Sequence, residues 1–270
     1  MNPKPVILLL SLPLVFMIIV ASLVGLRTPD FYSAETPNWQ VQSIGQDWVD
    51  LILIAPSLLI TSILAHRNNK VAHYLWGGLL LYSTYTFTLY CFDVHFNTLF
   101  ILYCLCLGLS FYSFIYFLYL QLVTQVEDIL EFRTINKITG TYFIIISVLF
   151  YFLWLAEIIP AIIQKIIPRS IVDVGLFTNG VHVLDLSIIL PMIFMTGVLL
   201  LKKKQLGFTL APVILMFFIL MDITIGTLVV MMNKNGIQSD LTLTGIMGLL
   251  ALFSLYLLIV FFRSNKALTT

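Results

Sequence analysis

The chain has 270 residues, of which 60% are apolar and only 10% charged, with a formal net charge of +1. Soluble domains carry about a quarter charged residues, and a water-soluble fold of this length has no interior large enough to hide so much apolar surface. Composition therefore excludes a soluble domain and predicts an all-α, polytopic transmembrane helical bundle.

Apolar runs and the polar breaks between them predict about eight spans: 5–26, 47–65, 71–92, 98–122, 138–160, 183–201, 207–231 and 243–262. Runs of about 20 apolar residues are long enough to cross a hydrocarbon core of about 30 Å. The first run is longer than a signal-peptide core and is followed by no clean cleavage site, so it reads as a retained helix. The break "RTPDFYSAETPNWQVQSIGQ" reads as a loop, and 161–168 as a short interfacial helix ahead of Pro168. Cys91, Cys104 and Cys106 lie in or beside apolar runs without a CxxC pair, which gives neither a disulfide framework nor a zinc ribbon.

Basic residues predict the orientation. With eight spans and both termini inside, Lys4, Arg67, Lys70, Arg133, Lys137, Lys202, Lys203, Lys204, Arg263 and Lys266 are internal, and only Arg27, Lys165, Arg169 and Lys234 are external. Three acids, Glu127, Asp128 and Glu131, fall in the inner loop between spans four and five; the rest lie toward the outer side. A site on this chain is therefore expected to face outward.

Two segments align: "DWVDLILIAPSLLITSILAHRNNK" at 47–70 and "HVLDLSIILPMIFMTGVLLLKKKQ" at 182–205. In each, a polar residue stands three before an aspartate, a leucine follows the aspartate, and a proline comes six after it. The offset is 135 residues, half the chain, which predicts a 4+4 parallel internal repeat with units 1–135 and 136–270 about an axis along the membrane normal. Asp47 and Asp50 then correspond to His182 and Asp185, and Pro56 and Pro191 are expected to kink equivalent helices.

Several polar residues are candidates for ion or substrate binding. His182 and Asp185, at i and i+3, share a helical face, as do Asp47 and Asp50. Asp93 and His95 mark the turn after the third span, and Glu157 comes near the end of the fifth. A first-turn carboxylate also serves as an ordinary helix cap, and an aspartate at a short turn is ordinary turn chemistry. Imidazole and carboxylate together suit a divalent metal, with His182 and Asp185 as its ligands if one is bound; no closed metal-binding spacing is present. Asp222 lies about 22 Å along its span at 1.5 Å per residue, deep in the hydrocarbon, where a carboxylate marks function unless a neighbour such as Thr224 bonds it. Tyr82 and Tyr85 lie too deep for interface anchors and are expected to line a pocket or to bond Asp222. Gly77, Gly78, Gly108, Gly197, Gly226, Gly245 and Gly248 are expected to let helices approach closely.

"QDWVDLILIAPSLL", followed by "YSTYTFTLYCFDVHFNTLFILYCLCLGLS", resembles a pattern of uncharacterised bacterial multi-pass integral membrane proteins. The resemblance extends through "HVLDLSIILP" into the second half. It implies a bacterial cytoplasmic (plasma) membrane and supplies no activity. The Ser, Asp and paired-His pattern of seven-helix metal-dependent membrane hydrolases is not matched, because His182 has no second histidine four residues on. The expected partners are the lipid bilayer and a small ion or lipid headgroup, with no nucleic acid. Binding or transport of a cation, proton or polar headgroup leads; a metal-dependent enzyme acting on lipid in the outer leaflet, or an accessory or sensor subunit, are the alternatives.

Overall fold

The computed structural model describes residues 4–123, 133–265 and Leu268; Glu127, Asp128, Glu131 and Lys266 lie outside the described residues. Each of the eight apolar segments is helical. The order is α1 (Lys4–Arg27), α2 (Pro37–Val49), a π-helical turn (Asp50–Ile54), α3 (Ala55–His66), α4 (Lys70–Phe92) and α5 (Phe100–Val123). There follow α6 (Thr134–Gln164), the single turn α7 (Arg169–Val172), α8 (Gly180–Leu184), a second π turn (Asp185–Ile189), α9 (Leu190–Leu201), α10 (Gln205–Lys234) and α11 (Leu241–Ser264). No strand occurs among the described residues.

Seven of these segments are long and apolar enough to cross a membrane, which defines a polytopic helical membrane protein. The eighth, α4, carries the tyrosines and threonines of "YSTYTFTLY" and falls short on hydropathy. It sits between α3, α5 and α10, and Trp76, Leu79, Leu80 and Tyr82 are wholly buried. A helix walled in by other helices meets little lipid, so its polar side chains face protein partners.

Two boundaries differ from the sequence expectation. The second span begins ten residues early, at Pro37, where the Thr36 hydroxyl accepts from Trp39 N–H and a proline opens the first turn. The piece expected as an interfacial helix instead continues α6 to Gln164, ending at Lys165 in a left-handed conformation (φ 57°). Pro160 is carried inside that helix.

The end of the bundle at which α2 and α8 begin is termed the upper end. There, Trp39 Nε1 donates to Asp93 O at 2.6 Å, Gly180 N–H donates to Asp93 Oδ2 at 2.9 Å, and His95 N–H donates to Glu35 Oε1 at 2.8 Å. These bonds tie the α1–α2 link, the α4–α5 turn and the start of α8 together.

Backbone features recur at the 135-residue spacing. The π turns start at Asp50 and Asp185, with Ala55 N–H reaching Asp50 O and Leu190 N–H reaching Asp185 O. Left-handed residues fall at Asp30 and Lys165 (φ 55° and 57°) and at Asn68 and Lys203 (φ 64° and 58°). Packing is reciprocal too: α4 crosses α10, α2 packs on α10, and α8 packs on α4. At the crossing, a Cβ on Gly78 would come within 2.9 Å of Val213 O, and these two positions are themselves 135 apart.

Close approach at small residues replaces the hydrophobic drive that lipid cannot supply. Gly77 accommodates Phe117, Gly78 accommodates Met216, and Gly140 and Gly197 bring α6 and α9 together. Gly108, Gly245 and Gly248, expected to act likewise, face open space. Gly78→Ala is therefore expected to destabilise by about 1–3 kcal/mol, the range for overpacking. Gly108→Ala should stay within about 0.5 kcal/mol of the parent. Thermal unfolding in detergent checks both; equal midpoints would contradict the crossing.

Candidate functional site

A cavity of about 510 Å³ opens at the upper end between α2, α4, α6, α8, α10 and α11. Its walls are mainly apolar, with Ile146, Phe150, Phe217 and Leu250 prominent and Tyr142 at the lower end. Among its polar lining residues are Tyr85, His182, Asp185 and Asp222, together with Asp173 and Asp240. No lysine or arginine among the described residues lines it.

The π turn at Asp185 follows from Pro191. Proline has no N–H, and its ring crowds the preceding helical turn, so the chain widens by one residue just before it. Leu186 O, left without the proline donor, accepts from Tyr151 Oη at 2.9 Å. Single π turns occur frequently where a helix presents a functional group; here the turn presents Asp185 to the cavity. Tyr85 Oη donates to Asp185 Oδ1 at 3.2 Å, and Trp154 Nε1 donates to Oδ2 at 2.9 Å. The His182 ring meets the same Trp154 at a tilt of 53°, ring centroids 4.5 Å apart. Its Nε2 is buried without a hydrogen-bond partner among the described residues.

Asp222 has no such cage. It is only 7% exposed, it lines the cavity, and no hydrogen bond to its carboxyl joins any described residue. At 1.5 Å per residue it lies about 18 Å below the upper end of α10. The neighbours expected to bond it are engaged elsewhere: Tyr82 Oη pairs with Thr224 Oγ1 at 2.7 Å, and Thr224 also donates to Leu220 O at 2.8 Å. Tyr85 bonds Asp185.

The remaining candidates do not line the cavity. Asp47 is buried in the first half, accepting from Tyr32 Oη at 2.8 Å and from Tyr90 Oη at 2.7 Å. A Cβ on Gly25 would collide with that carboxylate, so glycine is required there. Asp50 accepts from Gln46 Nε2 at 2.9 Å, and the same amide reaches Tyr82 Oη at 2.9 Å. Asp93 and His95 tie the upper loops, and Glu157 accepts from Ser170 N–H at 3.0 Å, capping the α7 turn. Sequence reasoning missed Trp39, Gln42, Gln46, Tyr142 and Trp154, which all line the cavity. The first three were hidden by reading 37–46 as loop; Thr36–Pro37, a cap followed by a first-turn proline, is the signal that places them on a helix.

A divalent metal at His182 and Asp185 would need a third protein ligand to match the usual catalytic sites. Among the described residues no three His, Cys, Asp or Glu groups come together to hold an ion. Asp185 instead accepts one bond on each oxygen, from Tyr85 and from Trp154.

No protein-family model, curated protein or solved structure matches the chain.

Asp93 offers a titration that can be followed. Burial pushes its carboxyl up to about 6, held back by the bond from Gly180 N–H. An unfolded chain has a value near ~3.9, so between the two the folded protein binds the extra proton. The Asp93 contribution to stability is therefore largest below about pH 4 and declines as pH rises to about 6. The difference in unfolding midpoint between wild type and Asp93→Asn should change across that window and level off above it. A constant difference would show that Asp93 does not titrate there.

Proposed function

We propose that this chain binds an amphiphilic molecule in the cavity, and moves it if Asp222 cycles between protonation states. Asp222 carries the reading. A carboxyl held at membrane depth costs several kcal/mol unless something neutralises it, and no hydrogen bond or ion pair from a described residue reaches this one. The apolar walls suit the body of a lipid-like molecule, and Asp222, Asp185, Tyr85 and His182 are among the polar lining groups that would orient a ligand there. A free hydrated ion would gain nothing from walls of this kind.

The setting we infer is an eight-span protein of the bacterial plasma membrane with both termini cytoplasmic, α4 being the eighth span. The basic residues at the lower end support that orientation, which places the cavity mouth on the outer side. We read 1–135 and 136–270 as duplicated halves in parallel orientation. Their π turns, left-handed residues and reciprocal α2–α10 and α8–α4 packing support an axis along the membrane normal, as in transporters with parallel repeats. Metal-assisted catalysis on a lipid draws less support, since His182 and Asp185 supply two donors where such sites use three.

A long-chain alcohol carrying a diazirine tests occupancy of the cavity without assuming a charge on the ligand. In lipid nanodiscs, photolabelling should map to Ile146, Phe150 and Phe217, and Leu250→Trp, which fills the lumen, should remove it. Labelling confined to lipid-facing residues and indifferent to Leu250→Trp would sink the binding reading.

A further inference from the structure

One difference in burial between the two halves leads into the cavity. On α1, Leu14, Ile18 and Ala21 are 0%, 0% and 4% exposed, buried as α1 packs against α3 and α5. The positions 135 residues later on α6 are Leu149, Leu153 and Ala156; all three are exposed, the leucines at 56% and 54%. Lower down the halves agree, Ser11 and Ile146 both being buried. The helices α6 and α11 are joined at their lower parts, where Tyr142 Oη lies 3.0 Å from Ser254 Oγ and its ring meets Phe253 at 5.1 Å. Above Tyr142 the outward face of α6 is bare, while its inward face, Ile146, Phe150 and Trp154, lines the cavity opposite Leu243 and Leu250 of α11.

We propose that the separation of α6 and α11 above Tyr142 is a lateral portal through which a lipophilic organic cation passes from the bilayer to Asp222. This rests on the ligand-binding reading above and names the ligand's charge and its route. Among the described residues four acids (Asp173, Asp185, Asp222 and Asp240) and no lysine or arginine line the cavity, so an anionic headgroup would be repelled and left unpaired. His182 Nε2 is buried without a partner among the described residues, and Asp222, 7% exposed and lining the cavity, receives no hydrogen bond from a described residue. A cation would complete Asp222, and the Trp154, Tyr142 and Phe217 rings would add cation–π attraction to its apolar body. An apolar ion partitions into lipid, and the bare flank of α6 meets it there.

The probe is tetraphenylphosphonium, with tetraphenylborate as its counterpart of similar size and opposite charge, both presented to full-length protein in lipid nanodiscs. Saturable binding of the phosphonium, about one per chain, is expected, with no saturable binding of the borate. Asp222→Asn should weaken the phosphonium by roughly thirtyfold or more, as loss of one partner of a desolvated charge pair does, and Asp222→Glu should restore it. The double variant Leu149→Trp, Leu153→Trp, which alters only the exposed flank, should slow association and dissociation together and leave Kd unchanged. Equal binding of borate, or unchanged affinity in Asp222→Asn, would overturn the cation assignment, and alcohol labelling of the cavity would still stand. Unchanged rates in the tryptophan variant would overturn the portal. So would a photocrosslinker at position 153 that captures another protein in place of lipid.

Discussion

A carboxylate carried to membrane depth has to find its partner inside the protein, because lipid offers none. Most of this bundle can be read as the consequence. Asp47 is held between Tyr32 and Tyr90, which draws α1, α2 and α4 together and requires glycine at position 25. Asp50 is held by Gln46, whose amide also meets Tyr82, and Tyr82 in turn meets Thr224 on α10. Asp185 is held by Tyr85 and Trp154, linking α4 to α6. Each aspartate thus fastens helices from different parts of the chain. Asp222 alone among these span acids is left without a hydrogen bond among the described residues, and like Asp185 it lines the cavity.

The polar demand also accounts for α4. A helix able to supply Tyr82, Tyr85 and Tyr90 to three carboxylate networks cannot be as apolar as its neighbours, and it is tolerated because other helices enclose it. It crosses α10 closely at Gly78 and Val213, two positions 135 residues apart. The match is close in the backbone and loose in the side chains. At the 135-residue spacing Asp47 stands against His182, Tyr85 against Leu220 and Trp76 against Ala211.

Of the candidate site, Asp222, His182, Asp185 and Tyr85 were legible as isolated residues. Intramembrane acids are rare, and a histidine three residues before an aspartate stands out against leucine. That Asp47 and Asp50 turn into closed hydrogen-bond networks was not legible, because the i and i+3 spacing is the same for them as for His182 and Asp185. Only the side chains opposite distinguish the two pairs. Trp154 is the clearest loss: it lies 31 residues from Asp185, and nothing local marks it as the side chain on which His182 and Asp185 meet.

The sequence by itself determined the class of protein, the placement of its helical segments and the 135-residue correspondence between "DLILIAP" and "DLSIILP". These rest on local physics: apolar length against bilayer thickness, and the effect of a proline on the turn before it. Tertiary structure alone decided which carboxylates are satisfied, where the cavity lies and that the upper part of α6 is bare. Those depend on which side chains face one another across helices, and in a chain this uniformly apolar no periodicity records the choice.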